Sequence, residues 1–203
     1  MARLVLSAES LKEFLRRRRR SGGDRKDEVW NGVYVMSPDP SIEHEEVQTD
    51  LTVAISLAVK RPGVKVLGGS NVSDDPVKWT KNYRCPDVLV FLPGNTAVNR
   101  KTHWLGGPDF AVEVVSPRDR SRKKFTFYAK VGVRELWIVD RAPWRLELYR
   151  NDGERLVLVG AVDSGSGGVV TSRVLPLSFT LIDESPRPRI EVRHTEDGRT
   201  WSA

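Results

Sequence analysis

Three residues of this 203-residue chain carry side chains that do chemistry and stand where folding can bring them together: Asp87, Glu113 and Lys124. Asp87 follows Pro86 near the start of an apolar run, CPDVLVF over 85–91. Glu113 lies inside the next run, FAVEVV over 110–115, and Lys124, with Lys123 beside it, opens the helical stretch that follows. Adjacent strands of a sheet lie about 4.8 Å apart, so these two carboxylates can share one divalent cation if their strands are neighbours in suitable register. Mg2+ held by one or two carboxylates, with water and phosphate completing the octahedron, is the usual arrangement for phosphoryl chemistry. A lysine nearby can orient or deprotonate an attacking water and offset charge on a phosphorane-like transition state.

Glu113 is the anomaly among them. In a strand, Phe110, Val112 and Val114 share one face, and Ala111, Glu113 and Val115 the other. The run is β-branched and nearly uninterrupted, as in a strand buried on both faces. A carboxylate there costs roughly several kcal/mol unless a cation, a donor or a metal compensates it. Each residue also has an ordinary reading. Glu113 can be an edge position or pair with an arginine, Pro86-Asp87 can be turn chemistry, and Arg122-Lys123-Lys124 can be a solvated basic face. Asp119, after Pro117, reads as a helix N-cap.

The elements that must position these residues follow from the pattern of the chain. FAVEVV and ELWIVD flank one helix worth of sequence with Phe125, Tyr128 and Ala129 at helical spacing and Gly132 as its stop, a strand–helix–strand unit whose second strand is expected to lie parallel in one sheet. Residues 7–20 read as a capped helix, with Ser7 and Ser10 as N-cap candidates, ending in the arginines Arg16 to Arg20. That run is either a phosphate-contacting arm or a solvated helix end. EVWNGVYVM over 28–36 reads as a hairpin on Asn31-Gly32. From Ile42 to Lys60, Val47, Leu51, Ala54, Ile55 and Ala58 mark an amphipathic helix with His44 in its first turn, and Pro62-Gly63 ends it. Val64–Leu67 is a strand, 68–82 a polar loop in which Trp79 packs back on the core, and 93–108 a Gly- and Asn-bearing connection. WRLELYR and ERLVLVG around Asn151-Asp152-Gly153 form a second hairpin over 144–160. VLPLSFTLI over 174–182 closes the domain, and the polar, proline-bearing remainder is expected to be a mobile tail. The expected divisions are 1–27 as N-terminal helix and basic arm, 28–183 as the domain and 184–203 as the tail.

Composition sets the bounds. Hydrophobic residues at 39% and charged residues at 30% describe a soluble protein, with no apolar run long enough for a membrane and no export signal. The one cysteine, Cys85, excludes an intramolecular disulfide framework and fits a cytoplasmic location. Three scattered histidines and one cysteine do not make a usual zinc site, so any metal is expected to be held mainly by oxygen. A net charge of +6 is compatible with polyanion binding.

The ordered set of motifs resembles the restriction-endonuclease-like PD-(D/E)xK superfamily, and more narrowly a bacterial endonuclease family formerly catalogued as a domain of unknown function. The residues that carry the likeness, over roughly 28–182, are Glu28 four before Gly32, His44 opening a helix, Pro86-Asp87, and Glu113-Val114-Val115-Ser116-Pro117. Lys124 four before Tyr128, Gly132-Val133 and Trp137-Ile138-Val139-Asp140 then follow. In the simplest form of the motif a lysine stands two residues after the acid, where this chain has Val115. The resemblance instead implies a lysine moved to the next helix, with Lys124 the candidate and Lys123 the rival. It implies an α/β restriction-endonuclease-like fold, a mixed β-sheet flanked by helices with added β-hairpins, and a Mg2+- or Mn2+-dependent nuclease acting on nucleic acid, with DNA the expected substrate.

In that reading Asp87 and Glu113 hold the metal and Lys124 positions water and stabilises charge. Glu28 completes the metal shell or orients Lys124, and His44 contacts the scissile phosphate or shapes the pocket. Arg16–Arg20, Arg118, Arg120, Arg122 and Lys123 grip the nucleic-acid backbone. Tyr128, at i+4 from Lys124, packs near the site. Many nucleases of this fold pair to cut both strands, and the hairpin at 144–160 is a surface for such a homodimer. Two rival readings remain: a nucleic-acid-binding module that keeps the fold without turnover, and a structural or partner-binding domain whose acids pair internally with arginines.

Overall fold

The computed structural model describes residues 8–116 and 120–203. Ser7, Arg118 and Asp119 lie outside the described residues, and with them two expected helix caps and one expected backbone contact.

Six strands form the central sheet: β1 Lys65–Gly68, β2 Val88–Phe91, β3 Phe110–Val115, β4 Glu135–Arg141, β5 Trp144–Asn151 and β6 Leu156–Asp163. They lie in the order β6-β5-β4-β3-β2-β1, and only β3 and β4 run parallel. A parallel pair needs a crossover. Here it contains a 3-10 turn, Ser121–Lys124, that runs directly into a helix of six residues, Phe125–Lys130. Among the described residues the other two α-helices are Ala8–Ser21 and Ile42–Ala58. In chain order they are α1, α2 and α3.

Alternation along β3 divides the core as the sequence suggests. Phe110, Val112 and Val114 face the layer that holds Val47, Leu51, Ala54 and Ile55 of α2. Ala111 and Val115 face the layer that holds Phe127, Tyr128 and Ala129 of α3. Glu113 therefore points to the α3 side. Helix α3 ends in a Schellman motif: Gly132 (φ 87°) donates to Ala129 O at 3.1 Å and Val133 donates to Tyr128 O at 3.0 Å. Glycine is needed there because the left-handed backbone disfavours a Cβ. That stop fixes the register of Tyr128 against the sheet.

The first hairpin, Glu28–Trp30 with Val33–Val35, turns on Asn31 (φ 49°) and Gly32 (φ 85°), as its Asn-Gly pair requires. It belongs to a second six-stranded sheet that also draws Val72–Ser73, Val98–Asn99 and Trp104–Leu105 from stretches expected to be loop or connection, together with Tyr83–Arg84. Strands of two residues are too short to show a period, which is why they escaped the sequence reading. Trp79 stacks on His103 with ring centroids 4.3 Å apart.

The C-terminal stretch differs from expectation. Residues Arg189–His194 and Thr200–Ser202 are strands of a four-stranded sheet with Val170–Thr171 and Leu177–Ile182. Ile190, Val192 and Ala203 are buried in the same core as Phe179 and Trp137, whose rings stack at 4.0 Å. The period-two pattern Ile190, Val192, His194 was masked by the charges between and the prolines before. The expected hairpin at 144–160 is also more than an appendage. Its first strand, β5, pairs along all of β4, with Leu146 and Leu148 buried, so the hairpin extends the central sheet and runs on to Asp163.

The arginine run at the end of α1 is partly structural. Arg18 donates to both oxygens of buried Asp27, at 2.9 and 2.7 Å, and Arg19 pairs with Asp24 at 3.6 Å.

If the C-terminal strands contribute to the core, Ile190→Ala lowers stability by about 2–5 kcal/mol in urea unfolding, whereas a mobile tail would leave it within about 0.5 kcal/mol.

Candidate active site

The ends of the strands bring the five sequence candidates into one place. Asp87 precedes β2, and its N–H still donates to Val112 O at 3.0 Å, as a ladder residue would. Its side chain takes the next ladder position on β3: Val114 N–H donates to Asp87 Oδ2 at 2.8 Å. Asp87 therefore holds the β2–β3 register and presents Oδ1 outward. Around it, His44 Nε2 lies 3.2 Å from Oδ1 and Lys26 Nζ 3.4 Å. His44 reaches this position because Ser41 caps α2, accepting from His44 N–H at 3.3 Å, which sets its first turn over the strand end.

Glu113 lies next to Asp87 along the sheet, and three donors surround it. Lys124 Nζ donates to Oε1 at 3.0 Å and to Oε2 at 3.1 Å, Tyr128 OH donates to Oε1, and Ser121 Oγ donates to Oε2 at 3.2 Å. Lys124 is shared with a second acid: its Nζ stands 2.9 Å from Glu28 Oε1. Glu28 is itself held by Cys85 N–H at 2.8 Å and by the indole of Trp30 at 2.6 Å. Lys124, Glu113, Glu28 and Asp87 are all buried, while Lys123 is exposed. In a 3-10 turn neighbouring positions point about 120° apart, and here Lys124 takes the inward one.

The electrostatics follow from that packing. Burial pushes the Glu113 carboxyl up to about 7, against the pull of Lys124 and with further push from Asp87 and Glu28. For Lys124, burial disfavours the charge, but Glu113 and Glu28 outweigh it and raise the ammonium above its ordinary range. Burial would also raise Asp87, yet the hydrogen bond and charge of His44, then Lys26 and the Val114 N–H, bring it below the usual carboxylate range. Burial and the neighbouring acids keep Tyr128 a phenol. Burial pushes the Cys85 thiol up to about 12.

The acids open on a cleft of about 470 Å³ at the carboxyl ends of the parallel pair, lined also by Ser116, Arg141, Glu43 and Pro38. Four partners in and around it escaped the sequence reading. Lys26 donates to Gln48 Oε1 at 2.8 Å, and Gln48 donates to the Asp87 carbonyl at 2.9 Å. Gln48 stands four residues after His44, on the same helix face, so that spacing was the available signal. Ser121 and Arg141 gave none. Arg141 donates to Ser116 Oγ at 2.6 Å and pairs with Glu43, and its Nε is buried without a partner among the described residues. Of the residues expected to grip a backbone, Arg122 is committed to Glu147 at 2.8 Å and Asp140 at 3.3 Å, while Arg120 and Lys123 are exposed.

Removing one member of a buried ion pair costs about 3–5 kcal/mol because its partner stays buried and unpaired. Lys124→Met is therefore expected to destabilise the protein by about that amount at pH 8, against about 0.5 kcal/mol or less for Lys123→Met. Equal unfolding midpoints for the two variants in urea would contradict the placement of Lys124 between the acids.

Comparison with known proteins agrees with this architecture. A crystal structure of a putative nuclease belonging to DUF820 from Anabaena variabilis ATCC 29413 is similar, at 19% identity and a TM-score of 0.57. The match covers 72% of this chain and 80% of that one, and at this identity it speaks to the fold. No match was found among the curated proteins. The family model named Uma2, described as "Putative restriction endonuclease", matches residues 11–182. The fold is thus α/β and restriction-endonuclease-like, and the chain belongs to the Uma2 family.

Proposed function

We propose that this protein is a metal-dependent phosphodiesterase that cleaves nucleic acid, with Asp87, Glu113 and Lys124 as its catalytic set. One observation carries the reading: Lys124 is buried between Glu28 and Glu113 at 2.9 and 3.0 Å, in contact with a cleft that Asp87 also lines. Nuclease chemistry needs a cation beside carboxylates at a surface a phosphate can reach. A buried structural pair needs no such cleft.

The donor set fits Mg2+ or Mn2+. The ligands on offer are the hard oxygens of Asp87 and Glu113, and among the described residues no three His, Cys, Asp or Glu side chains converge as a ready-made cage. Two carboxylates, with water and phosphate supplying the rest, is the set that Mg2+ accepts. Bound there, the cation would supply Lewis-acid stabilisation to the charge of the reacting phosphate. A carboxylate offers about four acceptor positions. On Glu113 these are taken by Lys124 twice, Tyr128 and Ser121. For Glu113 to hold the cation one of these donors would have to give way, and Glu28 would keep Lys124 in place.

The remaining residues position this set. Lys124 donates to the attacking water and to the charge that develops on phosphate. Glu28 holds Lys124, and Tyr128 fixes the orientation of Glu113. His44 and Lys26 hold Asp87, Lys26 adds positive charge, and Arg141 presents a guanidinium at the cleft wall, where a phosphate oxygen can be received. DNA is the expected substrate.

One observation favours the rival reading, a nucleic-acid-binding module without turnover: every acceptor position of Glu113 is already satisfied within the protein. The two readings separate in one assay. Plasmid DNA and single-stranded oligonucleotides are incubated with Mg2+ or Mn2+, and with EDTA. The nuclease reading expects cleavage that EDTA abolishes and that Glu113→Gln and Asp87→Asn each reduce by at least about a hundredfold, with unchanged circular dichroism. Full activity in Glu113→Gln rules the mechanism out. Salt-dependent binding with no cleavage under any condition selects the binding module.

A further inference from the structure

A second chamber, of about 440 Å³, adjoins the cleft at Lys124 and Glu28. Its distinctive walls are Trp30, Tyr34, Val35, Met36 and Arg120, and it shares Glu28, Ser37, Pro38, Ser116 and Lys124 with the cleft. Two of the catalytic candidates, Glu28 and Lys124, thus line both openings. One opening is lined by Lys26, His44 and Arg141, groups that can donate to a phosphate, beside the Asp87 carboxylate. The other mixes the aromatic and apolar side chains of Trp30, Tyr34, Val35 and Met36 with the polar groups of Glu28, Ser37, Ser116, Arg120 and Lys124.

Trp30 is held rather than loosely exposed. Its Nε1 donates to Glu28 Oε2 at 2.6 Å, and the Arg84 guanidinium lies 4.8 Å from its ring centroid. Arg84 is buried, donates to Val29 O at 2.9 Å and stands 4.4 Å from the Phe127 ring, so one side of the indole rests on a fixed cation–π stack. Tyr34 is fixed by donating to Asp27, whose carboxylate also accepts from Ser37 N–H at 2.8 Å. A rigid, half-buried indole beside a phosphate-binding cleft is the platform on which proteins stack bases of single strands.

We propose that this chamber receives one unpaired nucleobase, stacked on Trp30, from the strand whose phosphate occupies the cleft. The inference rests on the nucleic-acid reading above and names the substrate form it implies: a single strand, or a nucleotide turned out of a duplex. A base inside a duplex has both faces covered and cannot stack on Trp30 until it is extruded. Trp30 is also linked to Lys124 through Glu28, so a base seated there lies next to the group that positions the reacting water.

The test is fluorescence anisotropy in EDTA, which separates binding from turnover. The probes are a short fluorescein-labelled oligothymidylate and an abasic strand of the same length, against wild type, Trp30→Phe and Trp30→Leu. Base–aromatic stacking is worth about 1–3 kcal/mol, so the thymidine strand is expected to bind Trp30→Leu about tenfold or more weakly than wild type, with Trp30→Phe retaining most of the affinity. The abasic strand is expected to bind wild type and Trp30→Leu alike. Equal binding of the thymidine strand to wild type and Trp30→Leu overturns the chamber, as does a wild type that binds neither strand. If Trp30→Leu fails to fold, wild type alone decides, because equal affinity for the two strands overturns the proposal. Trp30-dependent binding without cleavage in the metal assay would leave the chamber standing and remove the nuclease. Cleavage without Trp30 dependence would do the reverse.

Discussion

A buried ammonium shared by two buried carboxylates is the constraint on which the rest of the site depends. Glu113 stands in the middle of a strand whose neighbours on the same face, Ala111 and Val115, are apolar and buried. Its charge is supportable there only because Lys124 reaches it from the adjoining crossover. That crossover is short: the 3-10 turn delivers Lys124, α3 delivers Tyr128 one turn later, and Gly132 stops the helix so that both side chains stay over the sheet. Glu28 arrives from a different sheet and is fixed by Trp30 and the Cys85 N–H. Three separate parts of the chain thus meet at one ammonium.

The same economy appears at Asp87. One carboxylate oxygen continues the β2–β3 ladder by accepting from Val114, which makes the residue part of the sheet, while the other faces the cleft with His44 and Lys26. A group that is half backbone surrogate and half ligand is positioned as rigidly as the sheet itself. The parallel pair β3 and β4 places Ser116 and Arg141 at the same end, so the cleft forms where the carboxyl ends of the strands and the N-terminus of α2 come together.

The sequence carried much of this because the signals were local. An acid in an otherwise apolar β-branched run, a Pro-Asp before another such run, and helical spacing from Lys124 to Tyr128 each follow from short-range rules, and Glu113 was the least explicable as ordinary surface. Lys124 could be separated from Lys123 only in three dimensions, since both are basic neighbours and the turn that aims one inward is not marked by any special residue. Lys26 and Arg141 were hidden for a different reason: in a chain with 33 lysines and arginines, one more cation is no signal. The C-terminal strands resemble a tail in the sequence because Arg189, Glu191 and Arg193, on the less buried face, obscure the alternation of Ile190, Val192 and His194. Their burial depends on Phe179 and Trp137, contacts of high sequence separation that no local rule anticipates.

Lys124 is the fixed point of the account, and the cation that Asp87 and Glu113 would share is its central claim. Calorimetric titration of Mn2+ into the wild-type protein and into Glu113→Gln tests it most directly, because it requires neither substrate nor turnover. A saturable isotherm is expected in the wild type and is lost in Glu113→Gln while circular dichroism stays unchanged. The same isotherm in both proteins, or none in either, would contradict it.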